Sequence, residues 1–166
     1  MTKKSATSPV ARDIMKTDLV VINPRDTLQD ALSLMTENHV TGLPVVDGRS
    51  RCVGLITATD ILTYEQEHSE FTSEVNAEMA QHFDMDTQRW ESVRVSSFAL
   101  EEFGDIPVED VMARELVFVD RDAPPDEVAK QMVNESIHRV LVLDEERRLY
   151  GIISAFDFVR LYAESP

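Results

Sequence analysis

The chain passes twice through one pattern of apolar and polar positions. Apolar runs of strand length stand at 19–22 and 116–119, followed by turn residues, Asn23-Pro24-Arg25-Asp26 and Asp120-Arg121-Asp122. Helical spacing comes next. In the first passage Leu28, Ala31, Leu32 and Met35 fall at i, i+3, i+4 and i+7, and Thr27 and Asp30 have capping-box spacing. In the second, Pro124-Pro125 suits a helix start, and Val128, Ala129, Met132 and Val133 carry the stripe. Two strand-like runs with a polar turn follow each helix. Leu43-Pro44-Val45-Val46 and Cys52-Val53-Gly54-Leu55-Ile56 flank Asp47 to Arg51, and Val140 to Leu143 and Tyr150 to Ile153 flank Asp144 to Arg148. These are hairpins by pattern. A second helix begins near Thr57–Asp60 and near Ser154–Asp157.

The two passages are an internal repeat. Residues 11–62 align without a gap on 108–159, at a constant offset of 97. Asp13-Ile14-Met15 falls on Asp110-Val111-Met112, Met35 on Met132, and Gly54-Leu55-Ile56-Thr57-Ala58-Thr59-Asp60 on Gly151-Ile152-Ile153-Ser154-Ala155-Phe156-Asp157. The expected fold is α+β, two β-α-β-β-α repeats related by pseudo-two-fold symmetry. Each small sheet leaves apolar surface open, so the copies are expected to pack together. The boundaries read as 9–64 and 105–163, with a partly helical insert at 65–104. Within it, Glu65 to Phe83 reads as an acidic helix and Arg89 to Val95 as a strand or extended arm. Trp90, Phe98, Leu100 and Phe103 are expected to cover their own chain or engage a partner.

Composition narrows the function. Of 166 residues, 16 are Lys or Arg and 31 Asp or Glu, for a net charge of -15. That surface repels a nucleic-acid backbone and an anionic membrane, and no basic run offsets it. A small anionic ligand remains compatible, since one pocket needs only one or two placed cations. No apolar run approaches bilayer length and no secretion signal is legible, so cytoplasmic is the expected location. The single cysteine, Cys52, excludes an internal disulfide framework and reads as core. Asp84-x-Asp86-x-Gln88 opens like a calcium loop but lacks its glycine and its closing Glu, and His68 and His82 have no third ligand. No phosphate-binding Gly-rich loop, nucleophile elbow or zinc-protease helix occurs, so no enzyme is expected.

With these motifs in register, the chain resembles the CBS-domain family, named after cystathionine β-synthase, whose members occur as tandem pairs. The resemblance rests on Gly-apolar-apolar-Thr/Ser-x-x-Asp, present twice, each copy preceded by an apolar-Asp turn and an Asp-apolar-Met start. It implies an adenosine-containing regulatory ligand between the repeats: AMP, ADP, ATP or S-adenosylmethionine, with no cofactor required. It also implies a homodimer and an effector protein that reads the ligand. A protein-interaction scaffold without a ligand is the alternative.

Candidate site residues follow from the motif. A carboxylate accepts hydrogen bonds from vicinal hydroxyls, which suits Asp60 to a ribose, and Thr57 at the strand-to-helix junction suits a phosphate. The same pair has the spacing of a helix cap, and both roles can coexist. By resemblance His138 and Arg139, just before a strand, contact phosphate and face the Thr57/Asp60 site; a surface Arg paired with Glu and a satisfied His is the alternative. Ser154 and Asp157 form the equivalent site, expected to be the weaker because Thr41-Gly42 stand where His138-Arg139 stand in the other repeat. Phe156 there either stacks on a base or packs as core. Leu19 with Val40, and Leu116 with Ile137, are candidates for the adenine slot, though all four would serve as core.

Overall fold

A computed structural model describes residues 8–68, 78–84, 89–95 and 105–164, with the backbone alone for 78–84 and 89–95. The helices are α1 (Ala11–Ile14), α2 (Leu28–Asn38), α3 (Ala58–His68), α4 (Pro125–Asn134) and α5 (Ala155–Glu164). The strands are β1 (Gly42–Val46), β2 (Cys52–Thr57), β3 (Glu78–Asp84), β4 (Arg89–Val95), β5 (Phe118–Val119), β6 (Arg139–Leu143) and β7 (Leu149–Ser154). The alternation of helices and hairpins is the α+β repeat that the pattern predicts.

Local chemistry accounts for the element ends. The Thr27 hydroxyl accepts from the Asp30 amide at 3.1 Å while the Asp30 carboxylate accepts from the Thr27 amide at 3.0 Å, closing the capping box of α2. Pro125 opens α4. Asp47 and Asp144 accept backbone amides across the β1–β2 and β6–β7 turns, with Ser50 and Arg147 in the left-handed region. Both hairpins are antiparallel, with Leu43 opposite Ile56 and Val140 opposite Ile153.

The chain forms two compact units, and each takes its first segment from the other sequence repeat. Residues 20–116 make the first unit; residues up to 19 and from 117 onward make the second. In the first, Val108 lies fully buried in a core with Ile22, Leu28, Ala31, Met35, Leu43, Val45 and Ile56. In the second, Ala11 occupies the matching place among Val119, Val128, Met132, Val140, Val142 and Ile153. The backbone repeats the exchange: Ala113 and Leu55 trade two amide–carbonyl bonds of 2.9 Å, and Lys16 and Ile152 trade bonds of 2.9 and 3.0 Å. The contiguous sequence repeats and the compact units therefore divide the chain at different residues.

That crossing explains the motif glycines. A Cβ on Gly54 would lie 2.9 Å from the Ala113 carbonyl oxygen, and one on Gly151 2.7 Å from that of Lys16. Each glycine is the price of a backbone lying flat on the strand.

Two expectations change. Residues 19–22 form no strand: only Ile22 bridges Val45, whereas β5 pairs two residues with β6. Pro44 has no amide hydrogen to extend the parallel pairing, and Leu141 at the equivalent place has one. Nor is 65–83 helical throughout. Helix α3 ends at His68, and 78–84 pairs in register with 89–95, Glu78 opposite Val95 and Asp84 opposite Arg89. The expected extended run at 89–95 leaves an open edge, and 78–84 satisfies it. Phe98, Leu100, Phe103, the side chains of Trp90 and His82, and the 85–88 part of the calcium-like loop lie outside the described residues.

Gly151→Val should lower stability by about 1–3 kcal/mol in urea denaturation, because a backbone carbonyl cannot be repacked away. Gly48→Ala, where a Cβ meets nothing within 4 Å, should stay within about 0.5 kcal/mol of the parent.

Candidate functional site

The strand-to-helix junctions β2–α3 and β7–α5 carry the candidate carboxylates. Asp60 Oδ2 accepts from the Thr57 amide at 2.8 Å and the Thr57 hydroxyl at 2.6 Å. Asp157 Oδ2 accepts from the Ser154 amide at 2.8 Å and the Ser154 hydroxyl at 2.7 Å. Both are helix caps, with a negative group in the first turn where the helix dipole favours it. One oxygen of each carboxylate is spent on the cap. Only the other can meet a ligand.

The junctions differ in burial and charge. Asp60 is half-buried, whereas Asp157 is 3% exposed. Asp157 Oδ1 is buried with no hydrogen-bond partner among the described residues. The Lys16 ammonium stands 3.9 Å from it, an ion pair by charge yet beyond hydrogen-bond reach. Leaving an anionic oxygen in this state is costly unless a donor arrives. Lys16 escaped the sequence reading. Its signal was a charge in a matched segment: the offset sets Lys16 against Ala113, which the first unit holds in the same bridge to β2.

His138 and Arg139 lie in the second unit, exposed, beside Ser154. Arg139 is opposite Ser154 in the β6–β7 register, and the Ala155 amide donates to the His138 carbonyl at 2.9 Å. The Ala58 amide meets the Thr41 carbonyl in the same way. Val40 packs on the first core and Ile137 on the second; Leu19 and Leu116 are half-buried. Phe156 is 60% exposed, with the Arg160 guanidinium 5.8 Å from its ring centre, so it is not core. Cys52 is buried, its thiol directed at the Gly54 carbonyl. Among the described residues no three His, Cys, Asp or Glu side chains gather as metal ligands.

A family model for the CBS domain matches residues 11–67 and 108–164. The chain belongs to the CBS-domain family. It is a tandem pair, as the duplicated motif implies. It is 29% identical over 155 residues to the uncharacterized protein MJ1426 of Methanocaldococcus jannaschii, covering 89% of this chain and 88% of that one. It also matches an inosine-5'-monophosphate dehydrogenase of the same organism at 24% identity, with 90% of this chain covering only 23% of the enzyme. Among solved structures, CBSX2 in complex with AMP superposes with a TM-score of 0.66 at 22% identity, covering 93% of this chain and 96% of that one. The CBS domain pair of protein MJ0100, in complex with 5'-methylthioadenosine and S-adenosyl-L-methionine, gives 0.62 at 21% identity, covering 95% and 98%. At these identities the likeness establishes the fold.

The caps can be separated from any ligand role by stability. Asp157→Ala should cost about 1–2 kcal/mol in urea denaturation, through loss of the Ser154 bonds. Asp157→Asn keeps an acceptor for Ser154 and removes the buried charge, so it should be clearly less destabilising than the Ala variant.

Proposed function

We propose that this CBS pair is a regulatory module that takes an adenosine-containing nucleotide at the Thr57–Asp60 and Ser154–Asp157 junctions. The observation that carries the reading is the Asp157 carboxylate. One oxygen caps α5, and the other is buried with no hydrogen bond. Ribose hydroxyls are suitable donors, and Asp60 has the same cap with its second oxygen in a half-buried setting. The family membership supports the reading, as do the AMP in the CBSX2 structure and the methylthioadenosine and S-adenosylmethionine in the MJ0100 structure.

The module acts by binding rather than catalysis. AMP, ADP, ATP and S-adenosylmethionine all present the required ribose. A ligand that prefers one arrangement of the chain shifts its population, and an effector protein reads the shift. His138 and Arg139 are the phosphate-binding candidates; Leu19 and Ile137 in one unit, and Val40 and Leu116 in the other, are the candidates for contact with a base. The setting proposed for the module is cytoplasmic. No helix among the described residues is long and apolar enough to cross a membrane.

A homodimer completes the proposal. Helix α5 exposes Phe156, Val159 and Tyr162, at 60%, 59% and 85%, and neighbouring α4 exposes Val133 at 76%. The equivalent positions in the first unit are Thr59, Leu62, Glu65 and Thr36. Among the described helices α4 and α5 alone expose large apolar side chains, and such a stripe suits a self-complementary contact. The alternative of a ligand-free scaffold draws on the caps, which account for one oxygen of each Asp without any ligand.

Calorimetry with AMP, ATP and S-adenosylmethionine on the full chain should show binding. Asp60→Ala and Asp157→Ala should each weaken it by about tenfold or more, the loss of a charged hydrogen-bond acceptor. Undiminished affinity in both variants removes the ligand from these junctions, whereas no binding and no rise in melting midpoint leaves the scaffold reading in its place. In light scattering the parent should be a dimer, and Val159→Glu/Tyr162→Glu a monomer; an unchanged mass removes the α5 contact.

A further inference from the structure

The two junctions share a backbone but not a charge. In the second unit, Lys16 is anchored through both its amide and its carbonyl to Ile152, two residues before Ser154. Its ammonium therefore starts from a fixed point beside Asp157. The side chain is half exposed, 52%, while that of Asp157 is 2% exposed. In the first unit the same two backbone bonds hold Ala113 against Leu55. No cation is delivered there by this route.

At 3.9 Å the ammonium does not hydrogen-bond Oδ1, so that oxygen has a compensating charge nearby but no donor. A hydroxyl arriving at Oδ1 supplies the donor without displacing the positive charge. The ammonium then has its own three donors for whatever the ligand carries next to that hydroxyl. An anionic oxygen gains most, because it meets a cation on a chain whose net charge of -15 otherwise repels it. An uncharged ribonucleoside gains only the hydroxyl contact.

We infer that Lys16 is a specificity-determining residue of the Asp157 junction, making it prefer a phosphorylated ribonucleoside over the uncharged one. This rests on the nucleotide reading above and goes beyond it. It names the residue that distinguishes ligand charge, and it assigns that task to the segment exchanged from the first repeat. The preference is electrostatic, so it weakens as salt is added.

The test uses the full chain carrying Asp60→Asn, which isolates the Asp157 junction, titrated calorimetrically with AMP and with adenosine. AMP should bind at least about tenfold more tightly than adenosine. Adding Lys16→Met should bring AMP to within about threefold of adenosine measured on the same variant, while Lys16→Arg should retain the preference. The Lys16 side chain is half exposed and Asp60→Asn keeps an acceptor for Thr57, so circular dichroism should show all three variants folded. An AMP preference that survives Lys16→Met, or no preference before it, overturns the inference and leaves the nucleotide reading standing. Binding to the parent chain that vanishes with Asp60→Asn also overturns it, since the Asp157 junction then takes no ligand. If the parent chain binds neither compound, the nucleotide reading itself fails and the inference goes with it.

Discussion

Two pairs of backbone hydrogen bonds organise this protein: Lys16 with Ile152, and Ala113 with Leu55. Each ties the opening segment of one sequence repeat across the last strand of the other. Taken singly, such a bond contributes about 0.5–1.5 kcal/mol net. Their weight comes from what they position. They lay a backbone flat on β2 and on β7, require glycine at 54 and 151, and carry Val108 and Ala11 into cores that lack a residue there. Burying a Val is worth about 1.5–3 kcal/mol on its own. Neither contiguous repeat therefore contains its complete core.

Within that shared backbone the side chains have diverged. Pro44 limits the first unit to a single parallel bridge, where Leu141 allows the two-residue β5. Thr59 and Glu65 are polar where Phe156 and Tyr162 are aromatic and exposed. Asp60 is half-buried, and its counterpart Asp157 is enclosed with one oxygen unpartnered. Duplication preserves the geometry because the backbone bonds and glycines constrain it. Charge and apolarity at the junctions are free of that constraint, so the two can serve different ligands or one ligand unequally.

The cap and the candidate binding role use the same carboxylate without conflict, because a carboxylate has two oxygens. Ser154 fixes Asp157 through Oδ2 and so aims Oδ1. A residue held this way is pre-organised, and a ligand need not pay to order it. The unpartnered oxygen is the corresponding cost, of the kind that concentrates at functional sites.

Much of this was legible in the residues. Apolar periodicity and the 97-residue offset specified both helix–hairpin passages, the capping box at Thr27 and Asp30, and the junction pairs, because these depend on contacts a few residues apart. The sequence also set the net charge and the duplicated motif that places the chain in its family. The tertiary structure alone decided which repeat each opening segment completes, that Lys16 meets Asp157, and that 78–84 is a strand rather than helix. The first two rest on partners distant in sequence, which an offset between repeats cannot give because it pairs equivalent positions, not touching ones; the third rests on pairing with 89–95, which the apolar pattern of 65–83 does not show. A register shared by two copies reveals their likeness; only the folded chain reveals that they trade their first segments.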